Sequence, residues 1–139
     1  MNAATPTVLP IRKSHLSQCY DLIKELAEYE KAPEQVLLDL DTFTKDFETQ
    51  EFIAWVAILE EKVVGMALCY PIYSTWKGKS LHLEDLIVGQ AYRRKGIGKI
   101  LLDQVVQYAK DENVGRLQWQ VLDWNEPAIS FYKNYPIDL

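Results

Sequence analysis

The chain has 139 residues, of which 48% are hydrophobic and 25% charged, and its net charge is −5. This length suits a single domain, residues 1–139, that buries roughly two-thirds of its unfolded surface without a disulfide or metal staple, and the composition excludes wholesale disorder. No apolar run reaches the about 20 residues of a membrane span, no signal peptide is expected from the start of the chain, and the acidic balance argues against a general nucleic-acid binder.

Val8 to Arg12 reads as an edge strand, where Pro10 is tolerated. Ser14 is a candidate N-cap for an amphipathic helix to about Lys31, because Leu16, Cys19, Tyr20, Ile23, Leu26 and Ala27 recur at helical spacing. Asp39 or Asp41 caps a shorter helix through about Glu48. Phe52–Leu59, the turn Glu60-Glu61-Lys62 and Val63–Tyr73 read as a hairpin. After a second turn, Trp76 to Lys79, comes a strand from Leu81 to Val88 with Glu84 and Asp85 in its middle. A glycine-containing basic stretch leads into a helix on Ile97, Ile100, Leu101, Val105 and Tyr108, ending near Asp111. Arg116–Leu122 is a strand, and Asn125 to about Tyr135 a short helix with Asn125 as cap and Pro127 in its first turn. The order β-α-α-β-β-β-α-β-α predicts an α+β fold, a mixed central sheet with helices on both faces.

Cys19 and Cys69 lack metal or redox spacing and read as reduced thiols in a cytoplasmic protein. His15 and His82 are the only histidines; without an HExxH or Cys/His cluster no metal is expected. No GxSxG elbow supports a serine hydrolase.

The most informative stretch runs from Val88 to Lys99. It leaves a strand and enters a helix, where free N–H groups and the helix dipole favour an anion. Gly96 and Gly98 permit close approach of phosphate oxygens, and Arg93, Arg94 and Lys95 add positive charge. It is neither GxGxxG nor a Walker loop. On spacing alone, a pyrophosphate site and a solvated basic turn are equally good readings. On residue type alone, Glu84 and Asp85 read as charges on a half-exposed strand, Tyr132 as a core or rim aromatic and Asn125 as an N-cap.

Arg93-x-x-Gly96-x-Gly98 after a strand resembles the acetyl-CoA signature of the GNAT N-acetyltransferases. Leu83-Glu84-Asp85, Asp123-Trp124-Asn125-Glu126-Pro127, Phe131-Tyr132-Lys133 and the stretch Ile23 to Glu30 are similar to the diamine acetyltransferase subfamily, so the likeness covers roughly residues 8 to 135. The resemblance implies that two strands splay apart, that the pantetheine arm of acetyl-CoA pairs with backbone at Leu86, Ile87 and Val88, and that the pyrophosphate meets Arg93, Arg94, Lys95, Gly96, Ile97, Gly98 and Lys99. It implies Glu84 as the water-relayed base for an acceptor ammonium with a pKa of about 10.4, Tyr132 as the acid for the departing thiolate, and Asn125 as a cofactor contact. It implies direct attack in a ternary complex, with no nucleophilic cysteine.

Glu30 and Asp85 match acidic positions that face amine substrates, and Trp76 is either a pocket residue or a turn anchor. Polyamine-acetylating members resemble Tyr-Asp-Pro-Trp where this chain has Tyr73-Ser74-Thr75-Trp76. The loss of an acid at Ser74 favours a lysine-like diamino acid such as thialysine over spermidine. Members of the family usually continue with glycine and about two more strands where this sequence has Pro136 and ends at Leu139. The last two strands are therefore expected to be missing, either because the chain is truncated or frameshifted or because a homodimer partner covers the edge, and cofactor binding is expected to outlast turnover. Two other readings stand beside the enzyme: a catalytically weak CoA-binding module, and an α+β interaction domain whose basic turn binds no cofactor.

Overall fold

The computed structural model describes residues 5–119. In chain order these form strand β1 (Thr7–Pro10), helices α1 (Leu16–Tyr29) and α2 (Leu40–Glu48), strands β2 (Ile53–Leu59), β3 (Lys62–Ser74) and β4 (Gly78–Val88), helix α3 (Ile97–Asp111) and strand β5 (Arg116–Trp119). The strands lie in one sheet in the order β1-β2-β3-β4-β5. All neighbours are antiparallel except β4 and β5, which run parallel and are joined through α3, as a parallel pair requires a long crossover. The expected strand beyond Trp119 and the expected helix from Asn125 lie outside the described residues. Among the described residues no helix is long and apolar enough to cross a membrane.

Ser14 does not cap α1. The chain first makes one tight turn over Lys13–His15, in which the His15 N–H donates to the Arg12 carbonyl at 2.9 Å and Nδ1 of His15 accepts from the Arg12 N–H at 3.0 Å. Backbone i to i+3 bonding takes the place of a side-chain cap there. Of the two candidate caps for α2, Asp39 does the work: its Oδ1 accepts from the Thr42 N–H at 2.7 Å, which holds its carboxyl below the ordinary aspartate range. The β2–β3 hairpin closes through Glu60 and Glu61, both at positive φ (50° and 68°), the geometry of a two-residue turn matched to the strand twist.

The sheet separates two apolar layers. On one face Leu16, Cys19 and Leu22 of α1 and Phe43 of α2 pack on Ala54, Val56, Met66, Leu68 and Ile87. On the other, Ile97, Leu101, Leu102, Val105 and Ala109 of α3 pack on Trp55, Ala57, Val64, Ala67, Leu81 and Leu83. Each layer holds one free, buried cysteine. Polar ties fix α1 against the sheet: Oε1 of Gln18 accepts from the Val63 N–H at 2.9 Å, and Oε1 of Glu25 accepts from the Gln90 N–H at 2.7 Å. Gly65 lets α3 approach closely. A Cβ there would stand 2.9 Å from Leu101 Cδ1 and 3.0 Å from the Ile87 carbonyl, so a larger residue must displace the Leu101 side chain and press on the β4 backbone.

Candidate active site

The amino end of α3 is built to be left open. Gly96 precedes it at φ 79°, a left-handed conformation that glycine adopts without strain. Among the described residues no side chain caps this end and no acid lies in the first turn. The first amides of α3, with the dipole behind them, are therefore available to an anion. Around them the expected basic residues divide. Arg94, at φ 64°, Lys95 and Lys99 are exposed, with Lys95 Nζ over the Tyr92 ring at 5.8 Å and Lys99 paired to Asp103 at 3.2 Å. Arg93 is exposed too but held by the fold: its Nε donates to the Val88 carbonyl at 3.2 Å and its guanidinium lies 4.9 Å from the centre of the Tyr29 ring. It anchors the turn to β4 and to the end of α1. Ile97 is buried under α3, so its backbone alone faces the open end.

β4 carries the acids, and its ladder with β3 is irregular at that point. Leu68 pairs with Asp85 but the next residue, Cys69, pairs with Leu83, so Glu84 is the extra residue of a bulge. The bulge breaks the strict alternation of a strand. Leu81 and Leu83 face α3, and beyond the bulge Leu86 and Val88 face α3 while Ile87 joins the α1 layer. Asp85 thereby falls on the α1 side, toward Glu30 at the end of that helix. Burial, then the charges of Glu84 and Glu30, push the Asp85 carboxyl up to about 6; burial also raises Glu30. An Asp85 carboxyl whose ionisation is opposed by two neighbouring acids is a natural seat for a cation.

Glu84 is half-exposed, and Oε1 lies 3.4 Å from Nε2 of the nearly buried His82. The Tyr70 ring packs at 5.0 Å from the His82 ring, and burial together with the Glu84 carboxylate raises the Tyr70 hydroxyl above its ordinary pKa. Neither His82 nor Gly65 was assigned a role from sequence. An isolated glycine inside a strand run does signal close backbone approach; the partner of His82, Gln118, has no local signal.

The described pairing of β4 with β5 runs from Ser80 with Arg116 to Leu83 with Trp119. Leu86, Ile87 and Val88 continue β4 past that point. Trp76 is 93% exposed at the tip of the β3–β4 hairpin. At about 3.3 Å per residue it stands more than about 20 Å along β4 from Asp85, so one chain does not bring the two together. Ser74 holds that tip, its Oγ accepting from the N–H groups of Trp76 at 3.2 Å and Lys77 at 3.0 Å. Asn125 and Tyr132 lie outside the described residues.

Residues 16–135 match the acetyltransferase (GNAT) family. The chain is 37% identical over 125 residues to a thialysine N-epsilon-acetyltransferase of Caenorhabditis elegans, covering 90% of this chain and 78% of that protein. It is 41% identical over 122 residues to the enzyme of the same name from Bos taurus, covering 81% and 72%. Among solved structures, an aminoglycoside N-acetyltransferase in complex with CoA superposes with a TM-score of 0.79 at 15% identity, covering 99% of this chain and 91% of that one.

Proposed function

The chain belongs to the acetyltransferase (GNAT) family and is an acyltransferase acting on amines, and from that premise we propose that it moves an acetyl group from acetyl-CoA to a primary amine of a lysine-like diamino acid. The observation that carries this is that Glu84 and Asp85 on β4, with Glu30 at the end of α1 beside them, sit on the strand whose following turn leads to the open end of α3. The open amides, the left-handed Gly96 and the charges of Arg94 and Lys95 fit a diphosphate. The backbone of Leu86, Ile87 and Val88 would take the pantetheine arm as an added strand, with Asn125 as a further contact. When bound, acetyl-CoA supplies the activated thioester carbonyl.

The chain's own groups manage the protons. Glu84 takes one from the acceptor ammonium through water, since an ammonium has no free pair with which to attack. The amine nitrogen then bonds to the acetyl carbon in a ternary complex as the carbon–sulfur bond breaks; Tyr132 gives its proton to the departing sulfur, and the second proton of the nitrogen returns the Tyr132 phenolate to the phenol. Glu30 and Asp85 hold the distal charge of the acceptor. Both cysteines are buried with thiols raised to about 12, which supports a route with no acyl-enzyme; free thiols also support a cytoplasmic setting. Trp76 can meet the acceptor only if a second protomer carries it there, as in a homodimer.

The test is release of CoA thiol with a panel of thialysine, lysine, ornithine and spermidine. Turnover on diamino acids that falls at least about a hundred-fold in Glu84→Gln or Tyr132→Phe supports the assignment. CoA binding without turnover on any amine would favour a binding module instead.

A further inference from the structure

The Glu84 carboxylate does not stand alone. His82 lies on β4 two positions before it, across the sheet from Tyr70, with only 8% of its surface exposed. Its two ring nitrogens are both engaged. Nε2 points to Glu84 Oε1 at 3.4 Å, and Nδ1 lies 3.0 Å from Nε2 of Gln118 on β5. A carboxylate can only accept, so Glu84 favours the tautomer with the proton on the nitrogen that faces it. In that neutral ring Nδ1 has the lone pair, and it can accept from the amide N–H of Gln118 at 3.0 Å. One tautomer therefore suits both neighbours, with Gln118 donating to Nδ1 and Nε2–H facing Glu84 at 3.4 Å.

We propose that His82 is a positioning residue for the acetyl transfer, locked by Gln118 in the tautomer that presents Nε2–H to Glu84. This rests on the reading of Glu84 as the base. At a bulge the backbone alone fixes a side chain poorly, because the inserted residue has no partner directly across the ladder. His82 supplies a constraint on one carboxylate oxygen, beside the Tyr70 hydroxyl that also interacts with Glu84. Tyr70, packed on the imidazole, keeps the ring from turning. The 3.4 Å separation is long for a hydrogen bond in the resting protein, and contacts of this kind shorten when substrate closes the site.

Two measurements on the full chain test the inference. In 15N-labelled protein at pH 8, where a reference histidine is neutral, long-range nitrogen–proton spectra distinguish the two tautomers. The His82 signals, identified by their absence from His82→Gln, should show protonated Nε2 and bare Nδ1, and Gln118→Leu should erode that preference. In kinetics, His82→Phe should lower kcat about ten-fold with the KM for acetyl-CoA unchanged, while His82→Gln, which keeps an N–H in place of Nε2, should restore most of the loss. In a Glu84→Gln background His82→Phe should add less than about two-fold. Protonated Nδ1, or equal losses in the two backgrounds, overturns the inference. If Glu84→Gln leaves turnover intact, the base assignment is what fails, and the nitrogen spectra alone then decide whether His82 holds Glu84.

Discussion

Nε of Arg93 donates to the Val88 carbonyl at 3.2 Å, tying the last residue of β4 to the basic turn that follows it. With its guanidinium over Tyr29 as well, this exposed arginine is held by the fold, whereas Arg94, equally exposed, is strained at φ 64°. Arg93→Ala should therefore lower both the melting temperature and CoA affinity, the latter about ten-fold as the turn loosens. Arg94→Gly should relieve about 1 kcal/mol of left-handed strain and raise the melting temperature while weakening CoA through lost charge. Thermal melts beside calorimetric titration with CoA check both; equal effects of the two changes would count against the distinction.

Gly65 couples the core to the same end of α3. Gly65→Ala forces a methyl against Leu101 and the Ile87 carbonyl, at a cost of about 1–3 kcal/mol. Because the strain falls on the first turns of α3, CoA affinity should drop along with stability. A destabilised variant that binds CoA normally would show that the helix end is set independently of this contact.

Asp85 gives a pH signature. Its folded pKa of about 6 lies above the reference value of 3.8, so the folded state holds the proton more tightly than the unfolded chain. Its contribution to stability is therefore full at low pH and is lost as pH rises from about 4 through about 6. Asp85→Asn should flatten that part of the stability profile and raise stability at pH 7 by on the order of 2 kcal/mol. A cationic acceptor reverses the preference and should expel a proton on binding near pH 6. Calorimetry in buffers of different ionisation enthalpy reads that proton directly, and the release should disappear in Asp85→Asn.

Ser74 offers a test of acceptor choice with little structural cost. Its Oγ accepts two backbone N–H bonds at the hairpin tip, a role an aspartate performs equally well. Ser74→Asp should therefore fold normally and shift relative kcat/KM toward spermidine by several-fold. An unchanged ratio between spermidine and thialysine would remove this position from the account of specificity.

Much of this site was legible as sequence because its parts are local. The start of α3 at Ile97 follows from a helical apolar stripe and a preceding glycine, and Asp39 had the composition of a cap. What was not legible depends on partners far along the chain. Ser14 looked like a cap because of its type, but the backbone of Arg12 and the ring of His15 had already met the need. Glu84 and Asp85 looked like ordinary neighbours on opposite faces, since nothing local marks a bulge whose evidence is the pairing of Leu68 and Cys69 on another strand. His82 gains its meaning only from Gln118, brought beside it by the crossover through α3.

The inserted residue in β4 stands outside the alternation on either side of it. Leu83 before it and Leu86 after it face α3, and Asp85 between them faces the α1 layer, so Leu83 and Asp85 hold successive rungs of the ladder. Were Glu84 deleted rather than replaced, the β3–β4 ladder would close into a regular one and every later side chain would keep its side. The carboxylate is an addition to a strand that is complete without it, so the molecule can lose that group by deletion and keep its interior.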